Sequence, residues 1–189
     1  GMPLIYKHLD DAIMKSQIQS LILALVFVFV IMVILLKSFR GGLVGIVPVS
    51  LTIAIVYGFM GYYGIPLDIA TVLIASVSLG MGIDYSIHFM NRLKFELKES
   101  ESLEGAIGKV LGTTGIAILI NVLSVALGFV VLVFASVIPL QRFGIMILLT
   151  MFLSGGATLI LMPAIILTFK PKFLEKLKPE KIKDEVFVK

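Results

Sequence analysis

Cysteine and tryptophan are both absent from this chain of 189 residues. Without cysteine there is no disulfide framework, no thiol nucleophile and no thiolate metal site, and the redox compartment cannot be read from the composition. Charge is scarce as well: Asp, Glu, Lys and Arg make up 15% of the residues against 59% apolar ones, well short of the roughly one quarter charged in a soluble domain. The sequence also has no glycine-rich phosphate loop, no cluster of metal ligands and no nucleophile with a base beside it. Together these absences leave little for hydrolytic or transferase chemistry. The chain is therefore read as a non-enzyme, with no metal and no cofactor.

What the chain does have is long uncharged runs, and the mean hydropathy is +1.09. A bilayer core about 30 Å thick needs roughly 20 apolar residues in a helix. Five such stretches are predicted, at about 16–36, 43–63, 69–91, 112–137 and 143–169. The first two are separated by the turn Lys37-Ser38-Phe39-Arg40-Gly41-Gly42. This divides the chain into a lead-in at 1–15, a five-helix transmembrane domain at 16–170 and a basic tail at 171–189. Gly1-Met2-Pro3 lacks the order of a signal peptide, and a start at glycine is read as the cut edge of a longer protein.

Basic residues set the expected orientation. With five spans the connections fall on two sides, and one side carries 13 of the 16 Lys and Arg, leaving Lys7, Lys15 and Arg142 on the other. The crowded side is expected to be cytoplasmic, with the N-terminus outside and the C-terminus inside a cell (cytoplasmic or inner) membrane. The net charge of +4 is thus a topology signal and does not call for nucleic acid. Between the third and fourth spans, Leu103, Ile107, Val110 and Leu111 form an apolar stripe opposite Glu104 and Lys109, the pattern of a short amphipathic cytoplasmic helix.

Glycines recur at Gly41 and Gly45, Gly58 and Gly61, Gly108 and Gly112, and Gly155-Gly156, spacings that suit close helix packing. Pro48 and Pro163 are expected to kink their helices locally, and Asp68 to cap the third.

The third span is the informative one. It reads Gly80-Met81-Gly82-Ile83-Asp84-Tyr85-Ser86-Ile87-His88. A charged carboxylate at the centre of a bilayer costs about 2.5–3.5 kcal/mol on insertion scales. Asp84 must then be neutral, or face a polar cavity or partner. It lies eight residues inside Arg92, about 12 Å at 1.5 Å per residue. Asn121 lies eight residues inside Thr113 on the next helix, so the two are expected at one level. Ser124 follows on the same face as Asn121, while Ser154 and Thr158 are weaker partners nearer the outer half. Gly80 lies one turn above Asp84 and His88 one turn below, and a glycine there leaves room for a helix or water.

Burial disfavours the charged form of a carboxyl. Such a group can load a proton from one side and release it to the other. An intramembrane acid is a functional-site hypothesis by default; an Asp held as a packing device is the alternative. His88 reads as a hydrated interfacial histidine or a point of proton entry, and Tyr85 as a hydrogen-bond donor or a headgroup contact.

The stretch Gly80-x-Gly82-x-Asp84-Tyr85-Ser86-Ile87-His88 resembles the fourth-helix signature of the resistance-nodulation-division (RND) superfamily, especially its MMPL-type and hydrophobe/amphiphile efflux branches. The likeness covers nearly the whole chain. Gly1-Met2-Pro3 resembles the segment before the second helix of a repeat, and Leu36-Lys37-Ser38-Phe39-Arg40 its first cytoplasmic turn. Gly64-Ile65-Pro66-Leu67-Asp68-Ile69-Ala70-Thr71 resembles the start of the fourth helix, and Leu127-Gly128-Phe129 a pair of the fifth.

The resemblance implies an all-α membrane protein, a five-helix bundle matching helices two to six of one repeat. The basic tail favours the C-terminal repeat. It also implies a proton relay through Asp84 and Tyr85 that drives export of lipids or other hydrophobic and amphiphilic compounds. Asn121, Ser124 and His88 would be relay partners, and Gly80 and Gly82 would pack helices beside the relay. The expected partners are the bilayer, the substrate, the other repeat, the extracytoplasmic domains and a homo-oligomer. The rival is a lipid- or sterol-sensing scaffold, because sterol-sensing domains resemble the same five-helix unit. An accessory subunit for protein translocation fits less well, since that branch has a different fourth-helix pattern.

Overall fold

The computed structural model describes residues 2–66 and 69–170, so the expected cap Asp68 and the tail at 171–189 lie outside the described residues. Every described element is a helix: α1 Met2–Leu36, α2 Phe39–Tyr62, α3 Ile69–Glu99, α4 Leu103–Val110, α5 Ile116–Val133, α6 Ile138–Gly156 and α7 Met162–Phe169. Two π-turns, Leu111–Gly115 and Ala157–Leu161, join α4 to α5 and α6 to α7 without a break. Five long helical rods result. Four of them are long and apolar enough to cross a membrane: Lys15–Leu36, Phe39–Tyr62, Leu103–Val133 and Ile138–Phe169. The fifth, α3, is more polar and lies against α1, α2, α4 and α6. A central helix meets its neighbours on most sides, so it tolerates side chains that lipid would not.

The first turn is tighter than the sequence reading expected. Only Lys37 and Ser38 separate α1 from α2, and Arg40-Gly41-Gly42 are already helical. Lys37 takes a left-handed φ of 49°, and Ser38 Oγ accepts a hydrogen bond from the Gly41 N–H at 3.2 Å, satisfying one of the free donors at a helix start. The glycines then let the backbones cross closely: a side chain at Gly42 would run into Val33 and one at Gly45 into Met32. Gly155 abuts Val122 in the same way. The expected pairs Gly58/Gly61 and Gly108/Gly112 face open space and pack no described helix. Their spacing is right, but they point away from the bundle.

The amphipathic segment forms α4, with Ser102 as its N-cap. Its stripe turns towards protein: Leu103, Ala106, Ile107 and Val110 are buried in one cluster with Phe89, Met90, Leu93 and Leu97 of α3. Buried Glu96 holds the hydrophilic side of this corner, pairing with Arg92 at 2.5 Å and with Lys109 of α4 at 3.9 Å. Lys94 Nζ donates to the Leu35 carbonyl at 2.6 Å, giving a partner to one of the unbonded carbonyls that end α1.

Pro163 sits near the start of α7, immediately after the π-turn. Proline lacks an N–H and its ring crowds the carbonyl four residues back; a wider turn just upstream accommodates both, and π-turns occur mostly as such single-turn bulges. Pro48 lies inside α2, where Thr52 Oγ1 donates back to its carbonyl at 2.9 Å.

Candidate functional site

Asp84, Tyr85 and His88 come from one stretch of α3, yet they do not share an environment. Successive helical residues are rotated by about 100°, which turns Tyr85 inward and leaves Asp84 and His88 on the outer side. Tyr85 is 4% exposed, packed among Ile118, Val122, Met146, Ile147 and Met151. Its phenol donates a hydrogen bond to Asn121 Oδ1 of α5 at 2.8 Å. Asp84, His88 and Asn121 are exposed. All four line one cavity of about 410 Å³, together with Met81, Thr114, Ala117 and Ile118. The cavity opens outward between α3 and α5. A carboxylate there sits beside a phenol–amide pair, an imidazole and a threonine hydroxyl, a set able to hold water and exchange a proton.

The structure therefore brings Asp84, Tyr85 and Asn121 together in one cavity, with His88 lining it one turn further along α3. The direct hydrogen bond to Asn121 comes from Tyr85, not from Asp84. Ser124 is exposed and stands outside the cavity lining, because three residues of helix carry it about 4.5 Å further along the axis. Gly80 and Gly82 also part company. Gly82 is buried, and a Cβ there would lie 3.1 Å from Ser154 Oγ and 3.3 Å from Val49 Cγ2. Gly80 meets nothing within 4 Å and packs no described helix. Two residues on a helix differ by about 200°, so only one of these glycines can face α6.

Sequence reasoning missed two features. Thr114 enters the cavity from the π-turn Leu111–Gly115; the run Gly112-Thr113-Thr114-Gly115, which interrupts an apolar stretch, was the available signal. The second is a seam between α3 and α6. Ser78 Oγ donates to Thr150 Oγ1 at 3.2 Å, and Gly82 abuts Ser154. Ser86, Ser154 and Thr158 are buried, with hydroxyls lacking a hydrogen-bond partner among the described residues. The signal was the shared spacing of four, Ser78/Gly82/Ser86 against Thr150/Ser154/Thr158, a small-residue pattern that lets helices approach closely in lipid. This seam lies on the side of α3 away from Asp84, so Ser154 and Thr158, expected as weaker partners of the acid, do not line its cavity. Among the described residues no group of three or more His, Cys, Asp or Glu is placed to hold a metal ion.

Comparison with known proteins gives the following likenesses. The profile of the MMPL family matches residues 1–185. A membrane protein of Methanocaldococcus jannaschii is 30% identical over 166 residues, covering 88% of this chain and 43% of that protein. An apo-petrobactin exporter of Bacillus anthracis is 30% identical over 151 residues, 75% of this chain and 20% of the exporter. A solvent-resistant pump membrane transporter of Pseudomonas putida is 24% identical over 178 residues, 89% of this chain and 17% of the pump. The chain thus spans less than half the length of each of these curated relatives. No solved structure matches it.

Proposed function

The chain belongs to the MMPL family, and from that premise we propose that it is the membrane domain of a proton-driven RND-type exporter of hydrophobic or amphiphilic compounds. One observation carries the reading: the acidic side chain Asp84, on an otherwise apolar stretch of helix, lines an open cavity with Tyr85, His88 and Asn121. In this reading Asp84 takes up and releases the coupling proton. Tyr85, held by Asn121 at 2.8 Å, keeps α3 and α5 in register and its phenol beside the carboxyl. His88, one turn nearer the basic end, connects the cavity to the cytoplasmic water. One elementary charge crossing 100 mV is worth about 2.3 kcal/mol, and a proton that binds one helix arrangement better than another shifts the population between them.

The names of the Bacillus anthracis and Pseudomonas putida relatives, an exporter and a pump, support export as the output. The basic end of the bundle faces the cytoplasm in this reading, with the chain's N-terminus outside. The open side of the Asp84 cavity takes the other repeat of the full-length protein, and extracytoplasmic domains complete the path of the substrate.

The test is efflux of the apolar dye Nile red from vesicles holding the full-length protein under an imposed proton gradient. Asp84→Asn is expected to reduce gradient-dependent efflux to that of protein-free vesicles, with Asp84→Glu retaining part of it. Unchanged efflux by Asp84→Asn would overturn the proposal. A scaffold that only senses lipid would instead show no gradient-dependent efflux in the parent protein.

A further inference from the structure

At the basic end of the bundle, away from Asp84, the start of α2 and the end of α7 leave a cleft of about 620 Å³. Its walls are Leu43, Val44 and Val47 from α2 and Ile165 and Phe169 from α7, and its charged lining residues among the described ones are Arg40 and Lys170. The order along each helix matters. Arg40 lies in the first turn of α2, and Lys170 follows the last residue of α7. Both cations therefore stand at the same end of the cleft, while the apolar walls run away from them. From Arg40 to Val47 the wall extends about 10 Å at 1.5 Å per residue. Leu43 and Phe169 are 55% and 74% exposed, so the groove is open from the side.

Among the described residues the two cations have no acidic partner. Elsewhere at this end, Arg92 and Lys109 are engaged by Glu96, and Lys94 donates to the end of α1. Neither Arg40 nor Lys170 pairs with an acid among the described residues. Lys170 is held in a left-handed conformation with φ 37°, its N–H returned to the Ile166 carbonyl, which ends α7 abruptly at the cleft mouth.

We propose that this cleft binds one anionic phospholipid, with its phosphate between Arg40 and Lys170 and an acyl chain along Leu43, Val47, Ile165 and Phe169. Two cations over an apolar trough have the charge order of such a lipid, and basic pockets between membrane helices take anionic headgroups. A zwitterionic lipid would fill the trough but bring its own ammonium cation beside Arg40 and Lys170, offsetting the attraction to its phosphate. The inference rests on the membrane-spanning arrangement and not on proton coupling by Asp84. Symmetric vesicles make its test independent of orientation too.

Phe169→Trp, in a full-length background otherwise free of tryptophan, places a fluorophore on the cleft wall. Brominated lipid quenches it on contact. In phosphatidylcholine vesicles, brominated phosphatidylglycerol is expected to quench at a lower mole fraction than brominated phosphatidylcholine. A contribution of roughly fivefold per basic residue, about 1 kcal/mol each, gives a preference of about twenty-five-fold for the pair. Adding Arg40→Gln and Lys170→Gln should remove the preference while leaving quenching by brominated phosphatidylcholine intact, which shows the cleft still folded and open. Equal quenching by both lipids in the parent protein would overturn the proposal. So would no quenching by either, which would mean that a protein segment covers the cleft. Loss of the preference on adding inorganic phosphate would also overturn it, by assigning the cations to a soluble anion.

Discussion

Replacing Gly144 by alanine tests how closely the last two long helices approach. Gly144 lies in α6 opposite the end of α5. A Cβ there would sit 2.7 Å from Leu132 Cβ and 3.1 Å from the backbone atoms Leu132 C and Val133 N, well inside the 3.4 Å at which ordinary contact begins. Two of these three neighbours are main chain, so no rotamer change relieves the clash and the α5–α6 pair must open. Overpacking of this kind costs about 1–3 kcal/mol. Alanine opposes part of that, because it is better than glycine in a helix interior by about 0.8–1 kcal/mol.

Gly128, inside α5, separates the two effects. A Cβ there meets nothing within 4 Å, so Gly128→Ala carries the propensity gain without the clash. The difference between the two variants isolates the close approach, and Gly144→Ala should be less stable than Gly128→Ala by about 1–3 kcal/mol. Reversible unfolding in mixed micelles, followed by circular dichroism, measures both on the same scale. Equal stability of the two variants would refute the packing argument for this interface.

The bond between Tyr85 and Asn121 is expected to show a coupling of about 0.5–1.5 kcal/mol in a cycle of Tyr85→Phe, Asn121→Ala and the double variant, as for other interhelical bonds in membranes; zero coupling in the unfolding assay would remove Tyr85 as a tie between α3 and α5. Glu96→Gln should cost about 1–3 kcal/mol, because a charge-assisted hydrogen bond is lost at a buried site, and should speed amide exchange over Leu103–Val110. Lys109→Gln should cost under about 0.5 kcal/mol, since its side chain is 54% exposed and 3.9 Å from the carboxylate; a larger loss than for Glu96→Gln would make the bridge to α4, and not the Arg92 pair within α3, the stronger of the two bonds of Glu96.

Much of the bundle was legible in the sequence because lipid imposes a simple requirement. A span must be long, apolar and helical, since no water is present to satisfy its backbone. That requirement is local, and the stretches 16–36, 69–91 and 143–169 fall within the helical rods, while 43–63 runs one residue past the end of α2 and 112–137 four past the end of α5. Helix ends were less legible. Ser38 caps α2 earlier than the glycine run suggested, and α3 continues to Glu99 because Glu96 and Arg92 pair one turn apart beyond the apolar stretch. The two π-turns leave no mark in apolar periodicity, although Pro163 gives the physical reason for one of them.

Asp84 was identifiable from sequence alone, because a carboxylate in an apolar run conflicts with its solvent whatever surrounds it. Its level relative to Asn121 also followed from counting, since rise per residue is constant. Direction around the helix axis was another matter. Gly80 and Gly82, or Asn121 and Ser124, are indistinguishable by residue type, and a rotation of a helix by a fraction of a turn exchanges which of them faces a neighbour. That rotation is chosen by packing across all the helices at once, through contacts such as Gly82 on Ser154 and Gly155 on Val122. The sequence by itself determined that the described residues form five long helical rods, how far along its own rod the acid lies and which end is basic, because each depends only on neighbours along the chain. The tertiary structure alone decided that Tyr85, rather than Asp84, reaches Asn121 and that Arg40 and Lys170 share one cleft, because both depend on how separate helices turn towards each other.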